Sequence, residues 1–420
     1  MTTPRACLLA IGDELLHGKV VDTNSAKIAR ALETLGVQVI GIAAVGDDVA
    51  DGVAALRRAA ASAEVVVMTG GLGPTGDDRT RLVAARAAGV ELRFVPESWQ
   101  QIEAWFGRLG REPSPSNRQQ AECPVGAEPL ENRCGTAPGF ALRCGQALCF
   151  ALPGVPAEME AMLADHVLPR LRQELRLGSV VIHELHLAGS SEARIGEKIA
   201  DLLAAGHRPQ VGINAHAGSY TIRIVGEGAD AAAIAAEVER VAAVVRDRLR
   251  EWIVYEGPES PAALVARECI EGGITLAIAE SCTGGLLCAR LTEVPGISAV
   301  LLAGYVTYSN AAKQDVLGVP AALLAAHGAV SPEVAGAMAE GARRRAGAAL
   351  GVGITGIAGP GGGSAEKPVG LVCFGLAFAG QVTTWSLRVA DLGRSFIRER
   401  AIHEALFAIH RRIGGLPKKR

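Results

Sequence analysis

Apolar runs and amphipathic stretches alternate along the first part of the chain. RACLLAIG, VQVIGIAAVG and EVVVMTGG read as buried strands. Between and after them, residues 25–35, 49–61 and a stretch from Thr80 onward carry apolar positions at helical spacing. A βαβαβ series of this kind predicts a parallel sheet with right-handed crossovers, and such sheets bind ligands at the carboxyl ends of their strands. From about 108 to 157 the pattern breaks into Pro-, Gly- and Asn-rich turns (REPSPSNRQQ, AECPVGAEPLENRCGTAPG, LPGVPAEME) that are expected to complete the first pocket, with helix resuming at Glu158 and running toward Leu175.

A smaller stretch follows, with strands VVIHELHLAG and YTIRIVGEG and helices over 192–204 and 231–250. EGPES at 256–260 then reads as a linker. The rest alternates again: helix 261–271, strand ITLAIAE, helix from Gly284, strand VLLAGYVTYS, helix from Ala311, helix 332–346, strands ALGVGITG, VGLVCFGLAF and VTTWSLRV, and helix 394–412. The expected architecture is α/β, two parallel-sheet α/β domains (1–175 and 256–420) joined by a small α+β middle module (176–255).

Composition supports a packed protein. At 420 residues the chain exceeds one ordinary core, and 49% hydrophobic with 20% charged residues argues against disorder. A net charge of -2 and 4% aromatics supply neither a basic field nor a stacking platform, so no nucleic-acid partner is expected. Lys418-Lys419-Arg420 reads as a solvated tail. No signal-peptide pattern or uninterrupted apolar span is present, so a cytoplasmic protein without a membrane partner is expected. The nine cysteines are odd in number and form no CxxC pair, which fits reduced thiols better than disulfides or zinc. His183 and His186, three apart on a strand, should face opposite sides and not form a metal pair.

The last segment holds the sharpest chemistry. In AESCTGG, Ser281 follows a strand and precedes a helix opened by Thr283, Gly284 and Gly285, whose N–H groups could hold an anion or oxyanion. The plainer alternative is that Ser281 or Thr283 only caps the helix. In YSNAAK, Lys313 falls near a helix terminus that disfavours its ammonium form, so it could serve as a base, with Tyr308 relaying or donating a proton. Cys282 is a competing nucleophile, but no imidazole or cation stands near it in sequence. The loop from Thr355 and Gly356 through Gly359 to Ser364 is glycine-dense, yet it lacks the ending of a nucleoside-triphosphate loop.

In the first segment GGLGPTGDD places Gly70, Gly71, Gly73 and Thr75 at a strand-to-helix junction suited to phosphate. Carboxylates Glu14, Asp22, Asp47, Asp48, Asp77 and Asp78 stand on neighbouring strand ends, where a subset could hold a divalent cation. Each aspartate taken singly reads as a helix cap.

AESCTGG, GYVTYSNAAK, HGAVSPE and ITGIAGPGGGSAEKPVG, in that order, resemble the C-terminal domain of the CinA (competence/damage-inducible protein A) family. GDELLHGKVVDTN, GDD, TGGLGPTGDDRT, NRQQAECPVGAEPLENRCGTAPGF and LPGVPAEME resemble its N-terminal, molybdopterin-binding-like domain. The resemblance implies deamidation of nicotinamide mononucleotide without a cofactor. It makes Ser281 the nucleophile, Tyr308 and Lys313 its activating partners, Thr355, Gly356 and Gly359 substrate contacts, and Arg394 the phosphate partner. It further implies metal-dependent hydrolysis of ADP-ribose, with Asn24 and Asn132 joining the glycine loop around the substrate, and a homodimer. The rival expectations are a non-catalytic competence or DNA-repair adaptor and a molybdopterin-binding protein.

Overall fold

The computed structural model describes residues 3–414; the Lys418-Lys419-Arg420 tail lies outside the described residues. The chain divides into two compact units, Met1–Ile182 with Val225–Glu239, and His183–Ile224 with Arg240–Arg420. No helix of the described residues is long and apolar enough to cross a membrane.

The first unit opens as the hydrophobic pattern predicts: β1 (Arg5–Ile11), α1 (Thr23–Thr34), β2 (Gln38–Val45), α2 (Val49–Ser62), β3 (Val65–Thr69) and α3 (Thr80–Ala88). β1 lies parallel to both β2 and β3. The turn-rich stretch expected after residue 108 also contains strands: β4 (Glu128–Leu130), β5 (Gly139–Cys144) and β6 (Ala147–Leu152). The six strands run in the order β2-β1-β3-β6-β5-β4, with β6 parallel to β3 and the last pairs antiparallel. β5 and β6 form a hairpin whose tip, Gly145, has φ +61°, a left-handed conformation that glycine adopts without penalty. Every residue of β6 is buried, so ALCFAL is the core strand concealed within the turn-rich sequence. The sheet buries apolar side chains on both faces, Leu9, Val66 and Met68 on one and Leu8, Val67 and Phe150 on the other.

A four-stranded sheet follows, in the order β8-β9-β7-β10, from β7 (Ser179–Ala188), β8 (Gln210–His216), β9 (Ser219–Gly228) and β10 (Ile253–Glu256). β8 was not expected, nor was β10, which ends on the first residue of the expected linker, and the helix expected over 192–204 stops at Lys198. His183 and His186 take separate protein partners. His183 Nε2 lies 2.8 Å from Glu256 Oε2, whereas His186 contacts Gly257 O and Thr221 Oγ1 and stacks on Tyr255.

The remainder of the second unit contains α4 (Pro261–Gly272), β11 (Leu276–Glu280), α5 (Leu286–Thr292), β12 (Leu301–Val306), α6 (Asn310–Leu317), α7 (Pro332–Ala346), β13 (Leu350–Gly356), β14 (Leu371–Phe378), β15 (Gln381–Arg388) and α8 (Arg394–Ile413). A short helix at Ala321–His327 was not foreseen. The sheet order is β12-β11-β13-β14-β15. β12, β11 and β13 are parallel, while β14 and β15 are antiparallel additions. Each α/β sheet is therefore mixed, parallel at one end and antiparallel at the other. The glycines of β13 have a packing reason: a Cβ at Gly351 or Gly353 would collide with the Ala339 or Ala335 carbonyl of α7.

α8 packs along much of the second unit. Its Phe407 joins Ala188, Tyr255 and Leu264 in a small apolar cluster. Further contacts join His403 to Ser219 at 3.2 Å and His410 to Glu268 at 2.9 Å.

Candidate functional site

Ser281 stands one residue beyond β11, at the carboxyl end of the parallel strands. Its N–H donates to Ile354 O at 2.9 Å, which extends the ladder with β13 and fixes the residue against the sheet. Gly284 (φ +61°) and Gly285 (φ +91°) then reverse the chain into α5. These left-handed values explain why two glycines follow the nucleophile candidate.

Neither Ser281 nor Thr283 caps α5; Glu280 does. Its carboxylate is fully buried and accepts from the N–H groups of Gly285 (3.1 Å), Leu287 (3.1 Å) and Cys288 (3.0 Å). The N-terminal donors expected to receive an oxyanion are thus already engaged. The N–H groups of Cys282 and Thr283, by contrast, donate to no backbone carbonyl among the described residues. Replacing Glu280 by Ala leaves one buried and two part-buried donors without an acceptor and is expected to lower stability by about 2 kcal/mol, read from the urea midpoint.

Lys313, in the second turn of α6, is 1% exposed, and its Nζ lies 3.1 Å from Ser281 Oγ. It also donates to Thr307 O at 2.9 Å and Tyr308 O at 3.3 Å. Burial pushes the amine below its ordinary value, opposed by the Cys282 thiol. A neutral amine has two N–H bonds and one lone pair. With the two carbonyls taking the hydrogens, the lone pair is left for the serine hydroxyl. Cys282 is buried, and burial raises its thiol to about 12, so it carries almost no thiolate near neutral pH.

Tyr308 departs from its expected place. The residue is 62% exposed, and its hydroxyl accepts from Arg394 Nη2 at 3.0 Å; among the described residues no hydrogen bond joins the phenol to Ser281 or Lys313. The backbone carbonyl of Tyr308 is what touches Lys313. Arg394 also donates to Gly359 O at 3.0 Å, so Tyr308, Arg394 and the glycine loop meet at one rim. Thr355 is buried and gives its hydroxyl to Ala329 O at 2.8 Å. Gly356 leaves no room for a side chain, since a Cβ there would lie 2.7 Å from Leu371 O.

Sequence reasoning missed Glu280, Thr307 and Arg398. Arg398 stands one turn beyond Arg394 on α8 and holds Thr283 O through Nη2 (2.7 Å) and Nε (3.2 Å). The i, i+4 spacing of the two arginines was the available signal. The hydroxyls of Thr283 and Thr307 are buried and find no hydrogen-bond partner among the described residues.

In the first unit Asp13, Glu14, Asp47, Asp48, Asp77 and Arg79 contribute to an open cleft of about 640 Å³. Asp47 is raised above the ordinary carboxylate range, first by burial and then by the charges of Asp13, Glu14 and Asp77, against the opposing hydrogen bond from the Asp13 N–H. Asp22, Asp48 and Asp78 have structural roles. Asp22 accepts from Ser25 N at 2.9 Å, Asp48 caps α2, and Asp78 binds Thr75 N at 2.8 Å. Among the described residues no three His, Cys, Asp or Glu side chains converge as a ready metal cluster.

The glycines hold the GGLGPTGDD loop close to its neighbours. A Cβ on Gly70 would strike Ile11 O, one on Gly71 would strike Thr80 Oγ1, and one on Gly73 would strike Asp78. Beneath the loop, buried Arg81 donates to Leu72 O and Gly73 O; burial lowers its guanidinium to about 10, which leaves it charged at neutral pH. Asn24 bonds Thr69 Oγ1 and Gly154 O, leaving its buried Oδ1 without a partner among the described residues. Asn132 is committed to Ala137 O, Glu158 and the Cys134 N–H, a structural knot away from the acidic cleft's lining.

Family profiles match three stretches: residues 7–173 to a "Probable molybdopterin binding domain", 183–254 to the "Damage-inducible protein CinA KH domain", and 258–413 to the "CinA C-terminal domain". A "CinA-like protein" of Geobacter metallireducens is 46% identical, covering 89% of this chain and 91% of its own length. Another from Synechococcus sp. is 40% identical over 97% of both. A solved structure of competence/damage inducible protein CihA from Agrobacterium tumefaciens is 45% identical, covers 36% of this chain and 97% of its own, and aligns with a TM-score of 0.35.

Proposed function

The chain belongs to the CinA family, and from that premise we propose that its C-terminal domain deamidates nicotinamide mononucleotide to nicotinate mononucleotide and ammonia. The observation that carries this reading is the buried Lys313 amine 3.1 Å from Ser281 Oγ. Lys313 takes the hydroxyl proton as Ser281 Oγ attacks the carboxamide carbon. The backbone N–H groups of Cys282 and Thr283, which face the Cys282 sulfur and bond no backbone carbonyl, would turn to the developing oxyanion. The carbon–nitrogen bond breaks, and the proton held by Lys313 leaves with ammonia. Water then adds to the ester, passing a proton through Lys313 back to the serine oxygen, and the acid departs. Arg394, at the rim with Tyr308, would pair with the nucleotide phosphate on letting go of Gly359 O. Tyr308 acts there as a substrate contact, not as a proton relay. Ammonia release from nicotinamide mononucleotide tests the reading.

For the N-terminal domain we infer hydrolysis of ADP-ribose to AMP and ribose 5-phosphate. The donors suit a hard divalent cation: Asp13, Glu14, Asp47 and Asp77 line one cleft and are all carboxylates. With no closed cage among the described residues, such a cation would rest on one or two carboxylates and complete its shell with diphosphate oxygens and water. The bound metal would neutralise phosphate charge, while the residues of the cleft orient the diphosphate. A chelator is expected to abolish loss of ADP-ribose and leave deamidation at its original rate, with mass spectrometry of both product mixtures as the measurement.

The adaptor reading draws on the KH profile match. KH modules grip a nucleic-acid backbone with a GxxG loop. Between residues 183 and 254 no two glycines stand at that spacing, which favours the enzymatic reading over nucleic-acid binding.

A further inference from the structure

The parallel register aligns three hydroxyl residues at the strand ends. Glu280 pairs with Val306 of β12 on one side and Ile354 of β13 on the other. The ladder continues one rung further, because Thr307 N donates to Glu280 O and Ser281 N to Ile354 O, both at 2.9 Å. On that rung Thr307, Ser281 and Thr355 stand side by side, and strand alternation sends their side chains to one face. Two of the three hydroxyls are committed, Ser281 to Lys313 and Thr355 to Ala329 O. Thr307 is 1% exposed, and its Oγ1 has no partner among the described residues, although its carbonyl holds the Lys313 amine at 2.9 Å. A buried hydroxyl without a partner destabilises a fold and calls for a ligand.

We propose that Thr307 Oγ1 holds the water that hydrolyses the acyl-enzyme on Ser281. This inference rests on the amidohydrolase reading. Once ammonia has left, the neutral Lys313 amine needs a water between itself and the ester carbon. That water gives one hydrogen to Lys313 Nζ and the other, as a hydrogen bond, to Thr307 Oγ1, which turns its lone pair toward the carbon. The new carbon–oxygen bond forms as the proton passes to Lys313. The bond to Ser281 Oγ then breaks, and the serine oxygen recovers that proton. Two features favour water over a substrate group: the hydroxyl is sealed from solvent, and it adjoins the base that both half-reactions need.

The test compares wild type, Thr307→Val and Thr307→Ser with nicotinamide mononucleotide, using rapid-quench ammonia assays, intact-protein mass spectrometry and thermal melts. Thr307→Val is expected to release a burst of ammonia stoichiometric with enzyme. It should then turn over about tenfold more slowly, the worth of one hydrogen bond in the transition state. An acyl adduct should accumulate on Ser281, while the melting temperature holds or rises, because valine removes an unpaired hydroxyl without changing shape. Thr307→Ser should restore turnover and clear the adduct. Wild-type turnover in Thr307→Val overturns the inference, and so does a slowed variant with neither burst nor adduct, which would mark a structural role. A wild-type protein that releases no ammonia overturns the parent reading together with the inference.

Discussion

Replacing Ser281 by Ala is expected to abolish ammonia release from nicotinamide mononucleotide, by roughly 10⁴-fold or more, with the fold intact. The side chain is small, and the turn that carries it is set by Glu280 and two glycines, not by the hydroxyl. Melting temperature should therefore stay near that of the parent. Cys282→Ala is the informative companion. The thiol is buried and raised to about 12, so its loss should leave turnover close to the parent rate. A dead Cys282→Ala beside an active Ser281→Ala would reverse the assignment of the nucleophile.

Lys313→Met is expected to lower kcat by about 10³-fold, the usual worth of a positioned general base. Methionine keeps the length and apolar stem of lysine while removing the amine. The pH dependence of stability should change as well. Burial depresses the folded-state value, so in the window between that value and the ordinary lysine value the unfolded chain binds a proton that the folded chain does not. Stability therefore rises with pH across that window. Below it both states carry the ammonium, and the folded protein bears the full desolvation penalty. Lys313→Met removes that slope, and it leaves the Thr307 and Tyr308 carbonyls without their donor, so its melting curve should lose this pH dependence without a gain in melting temperature. In the parent, kcat/KM should climb as pH rises through the folded-state value, since only the free amine can accept the serine proton. Parallel pH–rate and pH–melt curves for the two proteins check both signs. A variant that keeps the ascending limb would show that another group titrates.

The sequence made the parallel βα alternation legible, because each of those strands is a continuous apolar run flanked by an amphipathic helix. It concealed β4, β8 and β10. β4 and β10 owe their strand character to partners elsewhere in the chain, Glu128 pairing with Ala141 and Ile253 with Leu187, whereas β8 forms a tight hairpin with β9. The β5–β6 hairpin was readable in principle, as two apolar runs about a Cys-Gly-Gln turn, but the surrounding prolines and glycines masked it. At the site, spacing alone suggested that Ser281 and Lys313 could meet, since both fall where parallel strands give way to helices. Glu280 was invisible, because ordinary capping places the side chain at the helix boundary, whereas this carboxylate reaches forward from within a strand. Tyr308 was misread for a related reason. Its neighbour Thr307, one residue beyond β12, is buried, and the next residue points outward to the rim. Asp13 went unnoticed beside Glu14, although its carboxylate and backbone are tied reciprocally to Asp47.

The twenty residues of α8 span about 30 Å as one continuous helix. Arg394 and Arg398 occupy its opening turns, and His403, Phe407 and His410 follow on the same rod. Loss of this helix would accordingly take Arg394 and Arg398 from the rim of the candidate site and His403 and Phe407 from the small sheet together. The rim of the candidate site and the packing of the small sheet thereby depend on one continuous stretch of chain.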